Sequence, residues 1–216
     1  MRQEKKDPRS ASHPVVVRLT HWINVFAMVC MVMSGMGIYN AHPILPFRFP
    51  EEMTLGGWLG GSTAWHFAVM WLFVGNGLVY LAFGTASNYL RKRLLNLRLG
   101  DLLRDLRLAL TFSLRHESHS YNAIQKAMYL GVLLLGGLML ASGLVLWKPI
   151  QFGPLTALLG GFDSARIVHF TGMAALLGFL IVHIVMVAVV PKTLLSMVFG
   201  TGLLKEKKEK SDGGAA

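Results

Sequence analysis

Residues 167–190 read IVHFTGMAALLGFLIVHIVMVAVV, an apolar run that holds two histidines and no charged side chain. About 20 such residues suffice for a helix to cross the hydrocarbon core of a bilayer, so the run predicts a transmembrane helix. His169 and His183 are 14 residues apart in it. That is close to four helical turns, so the two rings share one helix face and stand ~21 Å apart along the axis. One therefore lies near each side of the membrane. Ionisable groups are costly in hydrocarbon and mark functional sites there, so the stretch sets both a membrane fold and two depths at which chemistry is expected.

Three further stretches qualify as spans, roughly Arg18 to Tyr39, Ala64 to Phe83 and Gln125 to Leu146. The chain as a whole is 53% hydrophobic and 15% charged, against roughly 25% charged in an ordinary soluble domain, and its mean hydropathy is +0.49. The expected fold is an all-α membrane protein, a bundle of four transmembrane helices over residues 18–190 between tails at 1–17 and 191–216. No second soluble domain and no tandem repeat is expected.

The net charge of +10 raises nucleic acid as a partner until the cations are located. Arg2, Lys5, Lys6, Arg9 and Arg18 precede or open the first span. Arg91, Lys92, Arg93, Arg98, Arg104, Arg107, Arg115 and Lys126 lie between the second and third, and Lys192, Lys205, Lys207, Lys208 and Lys210 follow the fourth. The other two loops hold only Arg48, Lys148 and Arg166. By the positive-inside rule the basic segments are cytoplasmic. The expectation is therefore a multi-pass protein of the bacterial inner membrane with both termini in the cytoplasm, lipid as its surroundings and no nucleic-acid partner. The first apolar segment is long and lacks a small-residue cleavage site, and it reads as a retained span rather than a removed signal peptide. Cys30 is the single cysteine, which excludes an intramolecular disulfide and a thiolate-bound iron–sulfur cluster; it reads as a packing residue.

Between the second and third spans, Leu90, Leu94, Leu97, Leu102, Leu106 and Leu110 recur near helical spacing among arginines. This predicts an amphipathic helix on the cytoplasmic headgroups over residues 88–112, serving either orientation or a functional role. The outer loops, Asn40 to Thr63 with its prolines and glycines and Trp147 to about Arg166, are long enough to offer a partner surface. Gly35, Gly37, Gly75, Gly77, Gly136, Gly137 and Gly178 allow either close helix approach or clearance for a flat cofactor.

Four of the eight histidines fall within spans: His21, His66, His169 and His183. His21 lies a turn inside the cytoplasmic start of the first span and His66 close to the outer start of the second. Each has a partner at matching depth on the fourth, which pairs His21 with His183 and His66 with His169. Two imidazoles facing each other across a bundle suit the axial positions of a haem iron, with apolar walls that exclude water. Zinc would require three or four converging ligands, and the four spans contain no Asp or Glu to complete such a set. Two pairs predict two haems of b type.

Arg18-Leu19-Thr20-His21-Trp22 followed by Ser34-Gly35, the 14-residue histidine spacing of the last span, and Tyr121-Asn122-Ala123-Ile124-Gln125-Lys126 ahead of the third together resemble the bacterial cytochrome b561 type of di-haem subunit. Within that type the chain looks most like the cytochrome b subunits of formate dehydrogenase, nickel-iron hydrogenase and thiosulfate reductase, over about residues 14 to 195. Ala123 stands where related chains often have proline. The resemblance implies the same ligand pairs. It also implies a quinone site beside the inner haem, with His183 and the Asn122 segment near the quinone head. Gln125 and Lys126 belong either to that site or to the capping and anchoring of the third span.

Arg18 and Arg166, at opposite faces near the ligands, are candidates for charge-assisted bonds to haem propionates or for interface anchors. Trp22 and Trp65 are candidates for the aromatic belt. His13 and His42 read as solvated, and His116 and His119 are candidates for proton transfer to quinone. The expected function is electron transfer between a periplasmic oxidoreductase of molybdenum or nickel-iron type and the quinone pool, by a subunit that does not bind the primary substrate. The alternative is a stand-alone superoxide:quinone oxidoreductase of the same four-helix plan, and a haem-free anchor or transporter would leave the matched histidines to coincidence.

Overall fold

The structure, a computed structural model, describes residues 14–93, 100–101, 104, 123–189 and 191–199. Every regular element among them is helical: α1 (Val15–Ala41), a single 3₁₀ turn (Glu51–Met53), α2 (Leu59–Ala86), α3 (Tyr89–Arg93), α4 (Ala123–Trp147), α5 (Gly153–Leu158), α6 (Phe162–Val189) and α7 (Lys192–Phe199). Four helices, α1, α2, α4 and α6, are long and apolar enough to cross a membrane, so the all-helical bundle of four spans is borne out. Three of the four run about a turn past the expected bounds at one or both ends. Bilayer thickness limits the apolar stretch, but backbone hydrogen bonding continues until something stops it.

Local residues supply the stops. Pro14, with φ −54°, leads into α1 already in a conformation that suits a helix start. At the other end Pro43 disfavours helical backbone at His42, which sits at φ −147°. Between α5 and α6 the chain reverses through Gly160 and Gly161 at φ +78° and +97°, a region that side-chain-bearing residues seldom enter. Of the predicted amphipathic helix over 88–112, the described residues are Asn88, which is a turn residue at φ 53° and not helical, α3, and helical positions at 100, 101 and 104. Asp101 and Arg104 pair there at 3.9 Å.

The spans associate as two hairpin-like pairs, α1 with α2 and α4 with α6. Lipid tails are as apolar as leucine, so helices in a membrane gain from close contact and interhelical hydrogen bonds rather than from apolar burial. Both devices are present. A Cβ at Gly37 would stand 2.2 Å from Ser62 Oγ and 2.9 Å from its Cβ, and one at Gly172 would stand 2.5 Å from Met139 Sδ, so the first crossing is closed to a larger residue and the second would have to move the methionine side chain. Asn76 of α2, buried, donates from Nδ2 to the Thr20 carbonyl at 2.8 Å and to Asn24 Oδ1 at 2.7 Å, both on α1. Gly75, Gly77, Gly136, Gly137 and Gly178, by contrast, face open space where an added Cβ would meet nothing.

The two pairs approach each other more loosely and enclose a slot. At the end of the bundle bearing the described loops, here the loop end, residues 42–58 fold back over it. Asn40 exchanges two 2.8 Å hydrogen bonds with the Phe49 backbone, and Leu55 N–H donates to the Met33 carbonyl at 3.1 Å. Tyr39 stacks on Phe170 at 5.0 Å between ring centres and also meets Phe47 and Phe49. This aromatic cluster ties the loop to α1 and α6. The opposite end, where α1 begins and α6 finishes, is the tail end.

Candidate functional site

α6 presents both of its histidines to the slot, and each meets a ring from the other pair of spans. His169 faces His66 of α2 with ring centres 6.4 Å apart and planes at 64°. His183 faces His21 of α1 at 6.2 Å and 63°. The helical period of α6 thus places one facing pair at the loop end and one at the tail end. These are the pairings that depth matching predicts.

Haem is the group whose fit to these pairs is in question. Two metal–imidazole bonds of about 2 Å each, with about 1 Å more from each nitrogen to its ring centre, separate two axial histidines by about 6 Å between ring centres. Both pairs stand at that separation. Among the described residues no three or more His, Cys, Asp and Glu converge on a point, so the donors come two by two, too few for a closed zinc site. The space beside the loop-end pair is a cavity of about 220 Å³ with Gly35, Met31, Phe73, Met139 and Leu176 in its wall. Imidazole pairs at that separation, in an apolar slot between helices, fit a flat macrocycle held by axial ligands.

The surroundings of the two pairs differ. At the loop end Ser34 Oγ lies 3.0 Å from His66 Nδ1 and Ser142 Oγ 2.9 Å from His169 Nδ1. At the tail end the rings meet aromatic neighbours instead: Trp22 is edge-on to His21 at 5.4 Å, and Phe179, one turn from His183, stacks on it at 5.9 Å. Arg166 borders the loop-end cavity. It donates to the His42 carbonyl at 2.8 Å and lies 3.7 Å from Asp163 Oδ1. Arg18 is at the tail end, where Nε donates to the Met197 carbonyl at 3.1 Å and Nη2 to the Val198 carbonyl. Two of its five N–H groups are therefore spent on the last turn of α7, where a cation also complements the helix dipole. Asn122, His116 and His119 lie outside the described residues; α4 begins at the residue after Asn122.

Sequence reasoning passed over Ser142, Asn24, Asn76 and Phe179. The asparagines carried a readable signal, since amides inside apolar spans are retained for helix contacts. Ser142-Gly143 had one too, because it repeats the Ser34-Gly35 of the first span.

With the ligand geometry described, comparison with known proteins gives the affiliation. The prokaryotic cytochrome b561 profile matches residues 12–200. The chain belongs to the prokaryotic cytochrome b561 family. This cytochrome is a multi-pass haem-binding membrane protein of electron transfer, as the resemblance in its motifs implies. It is 50% identical over 191 residues, 88% of this chain and 96% of the relative, to YedZ1 of Azospira oryzae, provisionally named a protein-methionine-sulfoxide reductase subunit. No solved structure matches the cytochrome at a significant level.

Proposed function

We propose that this cytochrome b561 protein holds two haem b groups, one between His66 and His169 and one between His21 and His183, and links a periplasmic oxidoreductase to the quinone pool. The observation that carries the reading is the pair of facing histidine couples at opposite ends of the slot, 6.4 and 6.2 Å between ring centres. Bound haem supplies one-electron iron chemistry whose potential is set by axial ligands, hydrogen bonding and burial. The chain's own residues do the rest. α6 sets the distance between the two centres, since its histidines are separated by ~21 Å along the axis. The apolar wall of the loop-end cavity would keep water from the centre held there. Arg166, beside the loop-end cavity, is suited to a propionate carboxylate through charge-assisted bonds, and Arg18 has N–H groups left for the same purpose at the tail end.

The partner is proposed as a periplasmic oxidoreductase subunit of molybdenum or nickel-iron type. A relative named for a reductase subunit supports an oxidoreductase partner without choosing the metal. The Asn122 segment, directly before α4 at the tail end, is proposed to hold the quinone head near the inner centre. A relative that is named as a subunit of a reductase favours this over the stand-alone superoxide reaction.

Two measurements follow. The purified protein should show a reduced b-type spectrum and two haems per chain by pyridine haemochrome assay; one or none would end the di-haem reading. The segregation of cations to the tails and the connection between the second and third spans supports both termini lying on the cytoplasmic side of the bacterial inner membrane. A reporter fused after Ala216 should then be active only in its cytoplasmic form, and periplasmic activity would reverse the assigned sidedness.

A further inference from the structure

We infer that Ser34 and Ser142 are positioning residues that fix which nitrogen of the loop-end histidines faces the metal and that hold the loop-end haem at a lower potential than it would otherwise have. The inference rests on the di-haem reading above. Each serine is fully buried, with 0% of its surface exposed. A hydroxyl carries one hydrogen, and here a carbonyl of the serine's own helix takes it: Ser34 Oγ donates to Cys30 at 2.6 Å and Ser142 Oγ to Leu138 at 2.8 Å. What each hydroxyl then offers the imidazole 3.0 or 2.9 Å away is a lone pair. With the hydroxyl hydrogen so placed, Nδ1 bears the ring hydrogen and donates it. The neutral imidazole keeps its other lone pair on Nε2, which becomes the metal-facing atom.

The residue after each serine completes the cradle. A Cβ at Gly35 would stand 3.5 Å from His66 Cε1, and one at Gly143 would stand 3.4 Å from His169 Cε1. That carbon lies between the two ring nitrogens. A methyl group would already be in contact and anything larger would push the ring edge. Ser-Gly thus grips the same imidazole edge twice, from α1 onto α2 and from α4 onto α6, the two tightly packed pairs. Partners that accept from a ligand's distal N–H orient the ring and raise its basicity, and a stronger donor favours the oxidised iron. At the tail end Trp22 and Phe179 lie against the rings, so the effect belongs to one centre.

The test is potentiometric titration of the membrane-embedded full chain as Ser34→Ala, Ser142→Ala and the double variant, with a haemochrome count on each. The loop-end centre is identified as the one missing from His169→Ala. The expected result is two haems in every serine variant and an upward move of the loop-end midpoint. In the double variant the Fe(III)/Fe(II) balance should change by about tenfold, which is about 59 mV for a one-electron couple, while the tail-end midpoint stays in place. Unchanged midpoints, an equal shift of both, or loss of the loop-end haem from a single alanine variant would overturn the inference and leave the serines a packing role. A parent chain with fewer than two haems would fail the di-haem reading itself, which separates the two failures.

Discussion

His169→Ala is expected to leave one haem per chain, the tail-end one, and His21→Ala is expected to leave the loop-end one. Removing His169 deletes one of two nitrogens whose rings stand 6.4 Å apart, and the neighbouring wall then offers methionine sulfur in place of a second imidazole. His42 borders the cavity too, but its carbonyl is engaged by Arg166 at the mouth. The remote pair is untouched because it lies ~21 Å away along α6. The helix itself is not at risk, since alanine favours helix more than histidine does. Each variant should therefore lose half of the haem absorbance and one of two steps in a redox titration. Loss of the same haem from both variants would show that the pairs are wrongly assigned, and retention of two haems in His169→Ala would remove this residue from the ligand set.

Asn122→Ala should keep both haems and their reduction by the partner, yet slow reoxidation by a quinone analogue by about tenfold. That factor corresponds to one hydrogen bond of about 1.5 kcal/mol to a carbonyl that gains negative charge as it is reduced, where a fixed donor counts more than it does in the ground state. The expectation comes from the resemblance of Tyr121-Asn122…Gln125-Lys126 to the family motif, and from α4 starting one residue later at the end of the bundle that holds His21 and His183. The haem count controls for folding. Reoxidation at the parent rate, or a block produced instead by changes in the loop at 42–58, would place the quinone site elsewhere and make the superoxide-type enzyme the better account.

Sequence alone was enough for the spans, the family and which histidine rings face each other, and the reasons are one-dimensional. Bilayer thickness translates into a count of apolar residues, and 3.6 residues per turn translates a spacing of 14 into one face and two depths. Depth is a coordinate along the chain, so His21, His66, His169 and His183 could be matched without knowing which helices touch.

What touches what was decided only by tertiary structure. That α1 pairs with α2 and α4 with α6 depends on where a glycine leaves room for a neighbour, as Gly37 does for Ser62 and Gly172 for Met139. Hydropathy is blind to this because every apolar face is equally content with lipid. The glycines read as permitting either contact or clearance divided for the same reason, Gly37 to contact and Gly75, Gly77, Gly136, Gly137 and Gly178 to open space. Ser142 shows the limit most plainly. In the sequence its likeness to Ser34 is readable but its partner is not: the histidine it meets is 27 positions away, and only the packing of α4 on α6 brings its hydroxyl to Nδ1.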